Sequence, residues 1–171
     1  MNYAPDGPTF VPAIWSRPYT DFDRKAFYKD ERFRETTFLV QAPRRSACYR
    51  RGTVQCATCH DPHPVDAGTY PVPLNFRDNP DELCLQCHSA LRSKLTAHTH
   101  HAEASEGSRC VSCHMPRIVN ALMFKARSHQ IDDIPRTDLT ERFGQDDSPN
   151  ACLLCHQEKN PACVQAKLQS W

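Results

Sequence analysis

Cys56-Ala57-Thr58-Cys59-His60-Asp61-Pro62-His63 decides the reading of this chain, because its first five residues set a pattern that returns three times. The repeats are Cys84-Leu85-Gln86-Cys87-His88, Cys110-Val111-Ser112-Cys113-His114 and Cys152-Leu153-Leu154-Cys155-His156. Cysteines three apart share one face of a helical turn. Two thiols so placed reach the two vinyl groups on one edge of a porphyrin, and the histidine that follows turns its imidazole onto the iron from the same face. The spacing therefore predicts four covalently attached c-type haems. Their attachment residues are Cys56 and Cys59, Cys84 and Cys87, Cys110 and Cys113, and Cys152 and Cys155, with His60, His88, His114 and His156 as proximal iron ligands.

Ten cysteines in 171 residues would otherwise suggest a disulfide framework or a set of zinc sites. A histidine directly after every C-x-x-C pair argues against both. Composition points the same way. Hydrophobic residues make up only 39% of the chain and there are 14 prolines, which is poor material for a large apolar core. Porphyrin faces are apolar, so the haems themselves are expected to form the interior, packed as close neighbours.

The sixth ligand of each iron separates conduction from catalysis. Five histidines remain after the proximal set: His63, His98, His100, His101 and His129. His63 follows a stiff Asp61-Pro62 step that points it away from its own haem toward a neighbouring one. His98 and His101, three apart, are expected to share one helical face and serve two haems. With His129 they make four distal ligands, leaving His100 as a spare. Methionine is the other common ligand. Met115 directly follows His114 and cannot fold back onto the same iron, so it reads as packing material. Bis-histidine ligation throughout implies low potentials and no vacant coordination position.

The runs Ser46-Ala47-Cys48-Tyr49-Arg50-Arg51-Gly52, Cys56 to His63, His98-Thr99-His100-His101 leading to Cys110-Val111-Ser112-Cys113-His114-Met115-Pro116, and Ser148-Pro149-Asn150-Ala151-Cys152-Leu153-Leu154-Cys155-His156 resemble the doubled-CxxCH multihaem cytochromes, distant relatives of hydroxylamine oxidoreductase and pentahaem nitrite reductase. The likeness covers residues 28 to 171. It implies that histidines matching His63, His98, His101 and His129 are distal ligands. It further implies a haem chain of alternating parallel and perpendicular pairs, held by short helices and long loops. Larger members of that group carry further motifs upstream and helical repeats downstream, so this chain reads as a compact version or a piece. The enzymatic members keep one haem open with a different proximal ligand, and no such site is visible in this sequence.

The expected fold is mostly irregular with short α-helices and little or no sheet. Residues 1–47 form an arm with a short helix and no haem motif, and residues 48–171 the tetrahaem domain. Pro5, Pro8, Pro12 and Pro18, interleaved with Tyr3, Phe10, Trp15 and Tyr19, read as an extended segment that packs on its own domain or docks on a neighbouring subunit. Helices are predicted from Thr20 or Asp21, with Phe22, Ala26 and Phe27 on one side, and over residues 80–94 behind an Asn79 cap. Two more are predicted after the cap-and-proline pairs Ser148-Pro149 and Asn160-Pro161.

The 21 basic and 20 acidic residues nearly balance, which argues against a nucleic-acid or membrane-surface partner, and no stretch has transmembrane length. Arg44, Arg45, Arg50 and Arg51 form a local basic cluster suited to haem propionates or to an acidic docking partner. Cys48 and Cys163 stand outside the motifs and are candidates for a disulfide. Haem attachment to CxxCH implies export to the periplasm or the cell exterior, although the sequence opens without a signal peptide. The expected function is electron transfer without an enzymatic site of its own. The partners would be other redox proteins or copies of the same chain meeting haem to haem, up to a homo-oligomer or filament. The competing reading is a multihaem oxidoreductase acting on small nitrogen or sulfur compounds at an open haem.

Overall fold

The computed structural model describes residues 20–65, 73–131 and 137–171. The proline-rich arm expected over residues 1–20 lies, up to residue 19, outside them. The chain forms two compact units interleaved along the sequence. The first comprises Met1–Ala42, Arg117–Ser128 and Pro135–Trp171, the second Pro43–Pro116 and His129–Ile134.

In the first unit, helix α1 (Asp21–Ala26) opens on Thr20, whose hydroxyl accepts from the Asp23 backbone N–H while the Asp23 carboxylate accepts in return from the Thr20 N–H, a reciprocal capping box. The helix delivers Ala26 and Phe27 into a small aromatic core. The Phe27 ring lies 5.5 Å from Phe33 and 5.4 Å from Phe38, with Ala42 closing the cluster. Phe22, expected on the same side, is 62% exposed. A second small cluster joins Tyr28 to Ile118 and Val119 of strand β1 (Arg117–Asn120), and the Tyr28 hydroxyl donates to the Ile118 carbonyl. β1 pairs antiparallel with β2 (Lys125–Arg127), and this hairpin is the whole sheet among the described residues. Helices α7 (Thr137–Phe143), α8 (Ala151–Cys155) and α9 (Pro161–Gln169) complete the unit, with α9 packed on both of the others.

A buried polar clamp fixes the approach to α8. The Asp30 side chain, 2% exposed, is ion-paired with Arg32 at 2.6 Å and accepts from the Ser148 hydroxyl at 2.8 Å. Arg32 also donates to the Pro149 carbonyl, and the Thr140 hydroxyl to the Ser148 carbonyl. Asn150 then caps α8 by accepting from the Cys152 N–H at 2.9 Å. The sequence suggested Ser148 for that cap. Ser148 is fully buried and its hydroxyl is engaged by Asp30, so the role passes two residues on. Asn160 caps α9 as expected, with Pro161 at its first position.

The second unit consists of short helical turns: α2 (Ala47–Arg51), α3 (Cys56–Cys59), α4 (Glu82–Leu85), α5 (Leu95–Thr99) and α6 (Cys110–His114). Of the chain's buried hydrophobic side chains among the described residues, only Leu85 belongs to this unit. The helix expected over residues 80–94 is broken, with α4 ending at Leu85 and a 3-10 turn at Ser89–Leu91. His88 takes φ −89° and ψ 43°, outside the helical region, and this turns the chain away directly after the second C-x-x-C. The fold class expected from sequence, mostly irregular chain with short helices and little sheet, is the one found.

Removing one member of a buried ion pair leaves the other charge desolvated and costs about 3–5 kcal/mol. Asp30→Ala is expected to lower the unfolding free energy by about 3 kcal/mol, read as a fall in denaturant midpoint with an unchanged slope.

Candidate functional site

Every C-x-x-C-H run sits on one helical turn. In three of them the histidine N–H donates to the carbonyl of the first cysteine: His60 to Cys56 at 2.9 Å, His88 to Cys84 at 2.9 Å and His156 to Cys152 at 2.8 Å. In the third, His114 is the last residue of α6 itself. No disulfide forms among the described cysteines. Cys48 in α2 is half-buried and Cys163 in α9 exposed.

The first three motifs lie in the second unit and the fourth in the first, where His156 is the only histidine. Motifs one and two are neighbours. Burial pushes the Cys59 thiol above its ordinary pKa, and the nearby sulfurs of Cys84, Cys48, Cys56 and Cys87 push in the same direction. Motifs two and three are neighbours as well: the proximity of the Cys84 and Cys110 side chains lowers the pKa of Cys84 and raises that of Cys110. Asp81, at the start of α4, reaches across to accept from the Cys110 N–H at 3.0 Å. The adjacent Arg109 offers no side-chain cap, so α6 is capped from 29 residues upstream.

The histidines fall into pairs. The rings of His60 and His129 stand 6.2 Å apart centroid to centroid with planes 21° from parallel, and those of His98 and His114 stand 6.1 Å apart at 7°. A ring nitrogen sits about 2 Å from a metal it binds and about 1.1 Å from its own ring centroid, so two imidazoles trans across one metal have centroids about 6.2 Å apart. The centroid separations of both pairs match that spacing. No group of three or more His, Cys, Asp or Glu side chains converges as for a bare metal ion among the described residues.

Backbone carbonyls orient two of the rings. His60 Nδ1 lies 3.1 Å from the Pro73 carbonyl oxygen and His101 Nδ1 lies 2.6 Å from that of Thr99. A carbonyl only accepts, so both nitrogens carry the proton and Nε2 keeps its lone pair, the tautomer that an iron ligand requires. The segment that holds His60 is itself clasped to the first motif. The Asp61 N–H donates to the Pro73 carbonyl, the Asn75 N–H to the Cys59 carbonyl, and the Asn75 side chain to the carbonyls of Ala57 and Thr58. His129 is anchored two residues on, where the Ile131 N–H donates to the buried Ser46 hydroxyl at 2.8 Å.

His98 and His101 do not share a helical face. Helix α5 ends at Thr99, and His100 takes a left-handed conformation (φ 54°, ψ 27°) that turns His101 off the helix. His63 and His88 are exposed, and the His63 N–H donates to the Asp61 carboxylate. Arg44, Arg50 and Arg51 are exposed in and just before α2, while Arg45 is half-buried. Pro73, Asp81 and Thr99 were not legible as site residues: two act through backbone carbonyls and one caps a distant helix.

Losing a side-chain acceptor at a helix start costs about 1 kcal/mol. Asp81→Ala is expected to speed hydrogen exchange at the Cys110 amide about fivefold, the same energy expressed as a rate, and to leave the Cys56 and Cys152 amides unchanged.

The sequence profile of the doubled CXXCH motif family matches residues 47–93, which hold the first two motifs with α2 before them. No curated protein and no solved structure shows significant similarity to the chain. The match, with the repeated helical turns and the histidine pairs, supports a multihaem c-type cytochrome that carries covalently bound haem and functions in electron transfer.

Proposed function

We propose that the chain is a tetrahaem c-type cytochrome that conducts electrons through closely spaced bis-histidine haems, as a carrier, a subunit of a redox complex or the repeating unit of a filament. The observation that carries the reading is the pair of ring-centroid separations, 6.2 Å for His60 and His129 and 6.1 Å for His98 and His114, which match two imidazoles on one iron. On this reading His60 and His129 would ligate the haem iron of the first motif, and His114 and His98 that of the third. His63 and His101 then serve as further distal ligands, with His100 as the spare. Cys56, Cys59, Cys84, Cys87, Cys110, Cys113, Cys152 and Cys155 make the thioether bonds.

Each bound haem supplies a one-electron iron couple, at low potential where both axial ligands are imidazoles. The protein's part is to fix those imidazoles. Pro73 holds His60 in its ligating tautomer, the Ile131–Ser46 bond holds the segment carrying His129, and α5 and α6 bring His98 and His114 parallel. The adjacency of the first three motifs supports haems near enough to exchange electrons directly. Histidines that supplied both remaining ligands of each haem would leave no position for a substrate, which favours conduction over catalysis. Export to the periplasm or beyond follows from the chemistry of haem attachment, and no described helix is long and apolar enough to cross a membrane.

The mass of the purified holoprotein is expected to exceed that of the chain by four haems. Its oxidised spectrum is expected to be wholly low-spin, without carbon monoxide binding after reduction. His129→Ala and His98→Ala should each turn one haem in four high-spin and reactive to carbon monoxide. A wild-type protein that binds nitrite, hydroxylamine or carbon monoxide, or variants that stay fully low-spin, would contradict the reading.

A further inference from the structure

His101 leaves α5 through the left-handed His100 and is then held from two sides. Its backbone N–H donates to the Thr99 hydroxyl at 3.3 Å, and its ring Nδ1 donates to the Thr99 carbonyl at 2.6 Å. Against the ring lies Gly107, in the 3-10 turn Glu106–Ser108 that leads into the third motif. A Cβ at residue 107 would stand 2.2 Å from His101 Cδ2, 2.6 Å from Cγ and 2.8 Å from Nε2. Carbon atoms pack no closer than about 3.5 Å without repulsion, so one of the two groups would have to move.

The turn is poorly placed to give way. The Ser108 hydroxyl, on a buried residue, donates to the Ser105 carbonyl at 2.8 Å, and the Ser112 hydroxyl ties α6 to Glu106 at 2.6 Å. Gly107 does not take a positive φ, so what the position requires is the missing side chain and not backbone freedom. Displacement would fall on the imidazole, breaking the bond to Thr99 that fixes its tautomer.

We propose that Gly107 is a positioning residue for His101 as an axial iron ligand: the missing Cβ is what lets the imidazole lie against the turn in its Nδ1-donating orientation. This rests on the reading of His101 as a ligand. It adds that ligation at one haem depends on a residue that has no side chain to offer the iron.

The test compares holoprotein carrying His101→Ala, Gly107→Ala and both, by haem count from mass, electron paramagnetic resonance and carbon monoxide binding. His101→Ala should leave one haem in four high-spin, and Gly107→Ala should perturb that same haem with all four still attached. The double variant should match His101→Ala alone, because the clash partner is gone. If Gly107→Ala loses haem or fails to fold, the same change made in the His101→Ala background should load normally, since the room is restored. A Gly107→Ala protein indistinguishable from wild type, or one whose defect persists without His101, would overturn the proposal. A His101→Ala protein that remains fully low-spin would overturn it too, and would locate the fault in the ligand reading rather than in the role of Gly107.

Discussion

Two pairs of imidazoles, with ring centroids about 6 Å apart and planes within 21° of parallel, are the constraint on which this structure turns. Bare imidazoles have little reason to keep that separation: they could stack closer or swing into solvent. The spacing is maintained by the backbone around them. The strand-like segment through Pro73 and Asn75 clasps the end of α3 and fixes His60, the Ile131–Ser46 bond fixes the segment bearing His129, and α5 and α6 present His98 and His114 in register. A haem accepted between such rings meets ligands already oriented, and less ordering has to be done on binding.

Burial follows the same logic. The first unit has a protein core of ordinary kind on a small scale, with Phe27, Phe33 and Phe38 in one cluster and Tyr28, Ile118 and Val119 in another, braced by the buried Asp30–Arg32 clamp. The second unit contributes Leu85 alone to the buried hydrophobic set among the described residues, yet it carries three of the four motifs. A hydrogen bond between motifs, from the Cys110 N–H to the Asp81 carboxylate, ties the third attachment point to the start of α4.

The motifs were legible in the sequence because attachment chemistry constrains residue type and spacing together: two thiols three apart, then an imidazole. The caps at Thr20 and Asn160 were legible for the same local reason. What the sequence could not display depends on backbone atoms or on distant partners. Ser148 looks like a helix cap until Asp30, 118 residues away, is found holding its hydroxyl. His98 and His101 look like neighbours on a helix until the left-handed His100 separates them. A glycine selected for an absent side chain leaves no trace in a pattern of types.

The pairing of the rings across iron is the claim on which conduction stands, and an experimental structure of the haem-loaded protein tests it most directly. The account predicts that Nε2 of His60 and of His129 lie on opposite sides of one iron, and those of His114 and His98 on opposite sides of another, each about 2 Å from the metal. An iron of either haem found with water, an open position or a different side chain opposite its proximal histidine would contradict it.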